Sequence, residues 1–91
     1  SMALDTACSS SLVATVQGCR SLQSGLTKNG LCLGVNAMIN ANVAVVMSQS
    51  GMLSADGRCK TFDASANGFV RGEGCGAVLL QRVGKSDAVL G

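Results

Sequence analysis

Apolar residues between Ser9 and Ser24 recur at three- and four-residue steps, which predicts an amphipathic helix. The positions that share its apolar face are Leu12, Val13, Val16, Cys19 and Leu22. Gly25 follows directly, and a glycine at this point is typical of a helix C-terminus. We expect the hydroxyls of the leading serines, Ser9–Ser11, to bond to the free N–H groups of the first helical turn.

Shorter apolar runs predict strands. Leu31–Val35 is typical of a strand buried on both faces, as in a parallel sheet. Ala77–Leu80 predicts another buried strand, which residues 81–83 finish. The first residues, Ser1–Asp5, are expected to be the end of a third buried strand. The sheet is therefore expected to be largely buried.

A second helix is predicted between the two later strands, starting at a cap on Asn40 or Asn42 and running to about Ser50. Its expected apolar face holds Val43, Val46 and Met47. Residues 52–68 are expected to be irregular, and residues 85–91 to begin a connection or helix. The alternation of strands and helices favours an α/β fold.

The composition indicates that this α/β chain is too small and too poor in aromatic residues to form a core of its own. The chain has 91 residues, of which 47% are hydrophobic and 13% charged, but its only aromatic residues are Phe62 and Phe69. A chain of this length buries little surface by itself. We therefore interpret it as an internal fragment of a larger α/β protein. A net charge of +2 argues against a nucleic acid partner, and no apolar run is long enough to span a membrane.

Cysteine usage favours reduced thiols in a cytoplasmic protein. The five cysteines are unevenly spaced and there is no histidine, so neither a zinc site nor a disulfide scaffold is expected. Cys19 falls in the predicted first helix, Cys32 falls in a predicted strand and Cys75 precedes one, and all three are expected to pack. Cys59 is expected in a solvated loop.

Cys8 differs from the other cysteines because it stands at the turn between the first strand and the first helix. Backbone N–H groups and the positive end of the helix dipole meet there, an arrangement that favours a nucleophilic thiolate. The small neighbours Ala7, Ser9 and Ser10 leave room for a substrate. Position alone leaves both a catalytic and a structural cysteine open.

The glycines of Gly72-Glu73-Gly74-Cys75-Gly76 do not predict a nucleotide site, because their spacing differs from the dinucleotide fingerprint and they precede a strand. Tight turns or close backbone approach are the expected reasons for them. Arg71 and Glu73 are interpreted as a local charge pair or as residues that hold this loop.

Four segments together resemble the β-ketoacyl synthases, the condensing enzymes of fatty acid and polyketide assembly. They are Asp5–Leu12, with the cysteine, then Gly34-Val35-Asn36, then Gly51–Asp63, and last Asn67–Gly74. Leu33 departs from the pattern, since a second glycine is common there. The serine run and the Arg-Gly-Glu-Gly segment look most like modular (type I) polyketide synthases.

The resemblance implies a thiolase-like fold, a layered α/β/α/β/α arrangement, with residues 1–91 forming part of its N-terminal half. It implies that Cys8 accepts an acyl group from the phosphopantetheine of an acyl carrier protein, and that a malonyl-type extender is decarboxylated and attacks the thioester. The Cys8 backbone N–H would form half of an oxyanion hole. No directly bound cofactor and no metal are implied, and the full-length protein is expected to be a homodimer.

The family also uses two histidines and a lysine, in segments that do not correspond to any part of these 91 residues. The isolated chain is therefore expected to be inactive. The condensing domain of a fatty acid synthase and a non-catalytic ketosynthase-like module remain alternatives. A cysteine hydrolase would need a histidine base, which is missing here. The sequence does not determine the starter, the extender or the product.

Overall fold

The computed structural model describes residues 1–84, in which helices and strands alternate as predicted. In chain order the elements are a 3₁₀ turn at Ala7–Ser9, helix α1 at Ser10–Gln23, strand β1 at Asn29–Asn36, helix α2 at Ala41–Gln49 and strand β2 at Gly74–Gln81. The predicted α/β alternation is confirmed. The connection or helix predicted for residues 85–91 lies outside the described residues.

The chain divides into two compact units. One contains Ser1–Val35 and the segment from Cys75 onward, and so holds α1 and nearly all of both strands. The other is Asn36–Gly74, which holds α2 and the long loop after it. The predicted nucleophile, Cys8, belongs to the first unit.

Strands β1 and β2 form a two-stranded sheet. The contacts at its two ends show that the strands run in opposite directions. Gly30, near the start of β1, lies beside Leu80, near the end of β2, with 3.7 Å between the Cβ position of Gly30 and the Leu80 Cβ. At the other end, the Asn36 side chain donates to the carbonyl of Gly72, just before β2. The expectation of a parallel sheet is wrong for this pair, since an apolar run indicates burial and carries no information on direction.

Helix α1 packs on the sheet through its smallest residues. The Cβ position of Gly18 is only 2.6 Å from the Cys32 sulfur, and that of Gly34 is 2.8 Å from the Ser11 Cβ. The buried apolar core of this part of the chain consists of Leu22, at 6% exposure, and Cys32, at 8%.

The predicted apolar face of α1 is correct in part. Leu22 is buried and Val13 and Cys19 are half-buried, whereas Leu12 and Val16 are exposed. Large side chains would hold the helix away from the strand. The contact is made by small residues, which allow the two backbones to approach closely.

Burial of β1 alternates along the strand, so the prediction of burial on both faces is wrong. Cys32 faces α1, while Leu31, Leu33 and Val35 are exposed. Residues 1–6 form no strand in the described part of the chain, and Met2 is exposed, contrary to the expected buried strand. A strand requires a hydrogen-bonding partner, and the 84 described residues provide none for this segment.

Helix α2 begins where the sequence predicts it. The Asn40 side chain caps it by accepting a hydrogen bond from the Asn42 backbone N–H at 2.8 Å. Its predicted apolar face is largely open, since Val43 and Val46 are exposed. The segment from residue 52 to 68 is irregular, as predicted, and is closed by a single parallel bridge between Leu53 and Phe69.

Candidate functional site

Cys8 is the middle residue of the 3₁₀ turn that leads into α1, and its thiol is exposed. The preceding residue, Ala7, has a φ of 59°, in the left-handed region. For an L-residue other than glycine this conformation costs about 1–2 kcal/mol. The predicted sharp turn with a thiol before the helix is therefore present, and the strain falls one residue before the cysteine.

Hydrogen bonds hold both peptide groups that flank Ala7. The Ala7 backbone N–H donates to the carboxylate of Asp5 at 3.0 Å. The Ala7 carbonyl accepts from the Ser10 hydroxyl at 2.6 Å and also from the Ser10 backbone N–H. The Ser10 hydroxyl in turn accepts from the Thr6 N–H at 2.9 Å. The turn is thus fixed by side chains within six residues of sequence.

The serine hydroxyls do not act as the sequence predicts. Ser9 donates to the carbonyl of Thr6 at 2.9 Å and pairs with the Thr6 hydroxyl at 2.7 Å. Thr6 and Ser9, the cap residues of the 3₁₀ turn and of α1, make no side-chain cap hydrogen bond. Instead, the hydroxyls of Ser9 and Ser10 point back to the turn, because the left-handed residue brings the Thr6 and Ala7 carbonyls within their reach.

The first turn of α1 is seated on β1 through Ser11. Its Cβ lies opposite Gly34, where a larger residue would collide with it. Further along the helix, the Cys32 thiol donates to the carbonyl of Ala14 across a donor–acceptor distance of 3.7 Å. Because α1 starts two residues after Cys8, these contacts also fix where Cys8 stands relative to the sheet.

The other cysteines are placed differently from one another. Cys32 is buried and Cys19 is half-buried, which confirms packing roles for both. Cys75 lies within β2 but is exposed, so the prediction that it packs is wrong for the described part of the chain. Cys59 is exposed in the long loop, as predicted, and its sulfur accepts from the Val70 N–H at 3.3 Å.

The expected roles of the glycine-rich segment are only partly correct. Glu73 accepts from the Met38 backbone N–H at 2.6 Å, so it holds a neighbouring loop as predicted. It forms no ion pair with Arg71, since the one salt bridge among residues 1–84 joins Lys60 to Asp56. A Cβ at Gly72, Gly74 or Gly76 would meet open space, so within the described structure neither a tight turn nor a close approach explains these glycines.

A polar cluster in the long loop is not predicted by the sequence. The Lys60 ammonium bonds to the Asp56 carboxylate and donates to the Asn67 side-chain oxygen at 3.2 Å. The Asn67 amide donates to Asp56 at 3.0 Å. Hydrogen bonds from Lys60 and then from Asn67, with the positive charge of Lys60, lower the pKa of Asp56 below its ordinary value of 3.8. The only sequence signal was the i, i+4 spacing of Asp56 and Lys60.

Within residues 1–84, no group of three or more histidine, cysteine, aspartate or glutamate residues is arranged to hold a metal ion. No helix in the same range is long and apolar enough to cross a membrane.

Relatives of this chain are polyketide synthases. It is 50% identical over 90 residues to a highly reducing polyketide synthase of Cryptosporiopsis sp., covering 99% of the chain and 4% of that protein. It is also 50% identical over 86 residues to a phenolphthiocerol/phthiocerol polyketide synthase of Mycobacterium tuberculosis, covering 94% of the chain and 4% of the relative.

The fold matches a solved ketosynthase. The oxazolomycin ketosynthase domain of Streptomyces albus superposes with a TM-score of 0.86 at 43% identity, over 90% of this chain and 15% of the solved one. This confirms the predicted thiolase-like fold class. The profile of the family described as "Beta-ketoacyl synthase, N-terminal domain" matches residues 1–86. The chain therefore belongs to the β-ketoacyl synthase family.

Proposed function

We propose that this chain is the nucleophile-bearing part of a polyketide synthase ketosynthase, and that Cys8 is its acyl-accepting residue. The observation that carries the proposal is an exposed thiol on a hydrogen-bonded turn directly before α1, in a chain matched over residues 1–86 by the family profile. The 50% identity to polyketide synthases favours this function over that of a fatty acid synthase domain.

In the proposed loading step, the Cys8 thiolate attacks the carbonyl carbon of an acyl thioester on a carrier protein. The new S–C bond forms as the old one breaks, and the carrier's phosphopantetheine leaves as a thiol after taking up a proton. The Cys8 backbone N–H donates to the oxyanion of the tetrahedral intermediate. The start of α1 adds a favourable dipole at the same place.

In the proposed condensation step, a malonyl-type extender loses carbon dioxide and its carbanion attacks the Cys8 thioester. The β-ketoacyl product leaves on the carrier protein, and the Cys8 sulfur is released as thiolate. Decarboxylation needs groups that stabilise the developing enolate, a role for which the family uses histidines and lysine. The chain contains no histidine, so the histidines have to come from outside its 91 residues.

The proposed partners follow from this chemistry. They are an acyl carrier protein and the acyl and malonyl thioesters that it carries, within a homodimeric synthase. Apolar side chains on both α1 and β1 are exposed, such as Leu12 and Leu33. Because exposed apolar patches mark contact surfaces, they support the proposal that this chain packs inside a larger domain.

The test compares Cys8→Ala with Cys19→Ala in the complete ketosynthase domain that contains this chain. We expect intact-mass spectrometry to show an acyl adduct on the unaltered domain and on Cys19→Ala after incubation with an acyl thioester, and none on Cys8→Ala. Cys19 is a suitable control because it is a half-buried cysteine on α1, the helix that follows Cys8. An acyl adduct that persists on Cys8→Ala would overturn the assignment.

A further inference from the structure

We propose that Asp5 and Ser10 are positioning residues for the acyl transfer, which hold Ala7 in its left-handed conformation and thereby aim the Cys8 thiol. The inference rests on the proposed function, since it takes Cys8 to be the acyl acceptor. Neither residue needs to touch the substrate in order to act in this way.

The two peptide groups on either side of Ala7 determine its φ and ψ, and each is clamped by one of these residues. On the N-terminal side, the Ala7 N–H is held by the Asp5 carboxylate at 3.0 Å. On the C-terminal side, the Ala7 carbonyl is held by the Ser10 hydroxyl at 2.6 Å. Alanine has no preference of its own for a φ of 59°, so the conformation depends on these partners.

Ser10 acts on both sides of the turn. Its hydroxyl donates to the Ala7 carbonyl and accepts from the Thr6 N–H at 2.9 Å. The Ser10 Oγ atom therefore links Thr6 to the peptide group between Ala7 and Cys8. Ser10 is also the first residue of α1, which ties the turn to the helix. Loss of this hydroxyl would leave the Thr6 N–H without this acceptor and the Ala7 carbonyl with only the Ser10 backbone N–H.

The direction of the Cys8 Cα–Cβ bond is set by the peptide that Ala7 orients. Attack on a thioester bound elsewhere requires the sulfur at one position and angle, and a displacement of about 1 Å can cost roughly 100-fold in rate. Alkylation by a small, freely diffusing agent does not require the sulfur to be aligned with a bound thioester. A positioning defect should therefore slow acyl transfer and leave simple alkylation nearly unchanged.

The experiment uses the complete ketosynthase domain that contains this chain, with the variants Asp5→Ala, Ser10→Ala and Asp5→Asn. For each, two rates at Cys8 are measured by intact mass: acylation by an acyl thioester and alkylation by iodoacetamide. We expect Asp5→Ala and Ser10→Ala to acylate about 10-fold or more slowly, with alkylation within about twofold of the unaltered domain and unchanged thermal unfolding. Asp5→Asn keeps an oxygen that accepts the Ala7 N–H, so most of the rate should remain.

A matched control is Asp63→Ala. Asp63 makes the same kind of local turn, accepting from the Ser65 N–H at 2.7 Å, in a different stretch of the chain. The Asp63→Ala substitution should leave the rates of acylation and alkylation at Cys8 unchanged. If Asp5→Ala does not fold, Ser10→Ala decides the same question through the ratio of the two rates.

The two proposals fail in different ways. A complete domain without substitutions that never acquires an acyl group on Cys8 would overturn the proposed function. A domain that is acylated at Cys8, with Asp5→Ala and Ser10→Ala acylated equally fast, would overturn the positioning role alone. Equal losses of acylation and alkylation would also overturn it, since they would indicate general damage to the turn.

Discussion

At the scale of single residues, hydrogen bonds from side chains close in sequence fix local backbone geometry in both units. Asp5 and Ser10 hold the left-handed Ala7 before Cys8. In the long loop, Lys60 itself has a φ of 45°, and its ammonium bonds to Asp56 and Asn67. In both places the strained residue and its partners are near in sequence, so the geometry is built locally.

The Asp56 carboxylate should titrate below its ordinary pKa of 3.8, because hydrogen bonds from Lys60 and Asn67 favour its charged form. Because the pKa of Asp56 is lower in the folded state, the charged carboxylate stabilises the fold. This stabilisation is complete above the ordinary pKa of 3.8 and is lost as the pH falls through the pKa of the folded state. We expect an NMR titration of the carboxyl carbon to give a midpoint below 3.8.

The variant Lys60→Met should raise that midpoint towards the ordinary value. Asp63 serves as the internal control, because its pKa is lowered by the Ser65 backbone and hydroxyl and not by Lys60. An Asp56 midpoint that does not move in Lys60→Met would show that the lysine is not the cause.

At the scale of elements, small residues bring α1 close to the sheet. A glycine inside a helix costs about 1 kcal/mol relative to alanine. Alanine does not fit at Gly18, however, because the Cβ position there lies 2.6 Å from the Cys32 sulfur. Gly34 has the same relation to Ser11. The position of α1, the helix that follows Cys8, therefore depends on two glycines at its contact with the sheet.

Gly34→Ala should reduce the free energy of unfolding by about 1–3 kcal/mol, because the added methyl overpacks the contact with the Ser11 Cβ. Urea unfolding of the complete ketosynthase domain that contains this chain measures the change. Gly76→Ala is the control, since its methyl group would meet open space in β2. Ser11→Gly should offset part of the loss in a double variant. Additive effects of the two substitutions would contradict a direct contact.

At the scale of the whole molecule, the described chain covers little of its own apolar surface. Leu22 and Cys32 form its buried core, whereas Leu12, Leu31 and Leu79 are more than half exposed. The chain also spans only 15% of the oxazolomycin ketosynthase chain that it matches. Both observations support the proposal that the active domain includes further segments.

The isolated 91-residue chain should show no condensation, because it has no histidine to stabilise the enolate of the extender. Purified chain, acyl thioester and malonyl-carrier protein are combined, and β-ketoacyl product is measured by mass spectrometry. The complete ketosynthase domain is the positive control. Turnover by the isolated chain above that of its Cys8→Ala variant would contradict the expectation.

Local patterns in the sequence were enough to identify both helices, the two later strands, the turn before α1 and the family. Helical periodicity, the Asn40 cap and four ordered motifs are local properties of the chain, which is why they could be recognised without coordinates. Cys8 could be singled out for the same reason, as a thiol between a strand-like lead-in and a helix.

The tertiary structure alone decided which faces are buried and how the strands run. Hydrophobic periodicity predicted that Leu12 and Val16 would be covered, but packing selected the side of α1 that carries Gly18. Strand direction also depends on partners that periodicity does not encode. The left-handed Ala7 depends on nearby hydrogen bonds that periodicity does not reveal either. The burial of a face and the direction of a strand arise from contacts between segments that are distant in sequence. The hydrogen-bond acceptors of the Ser9 and Ser10 hydroxyls are the Thr6 and Ala7 carbonyls, whose positions are known only from the structure.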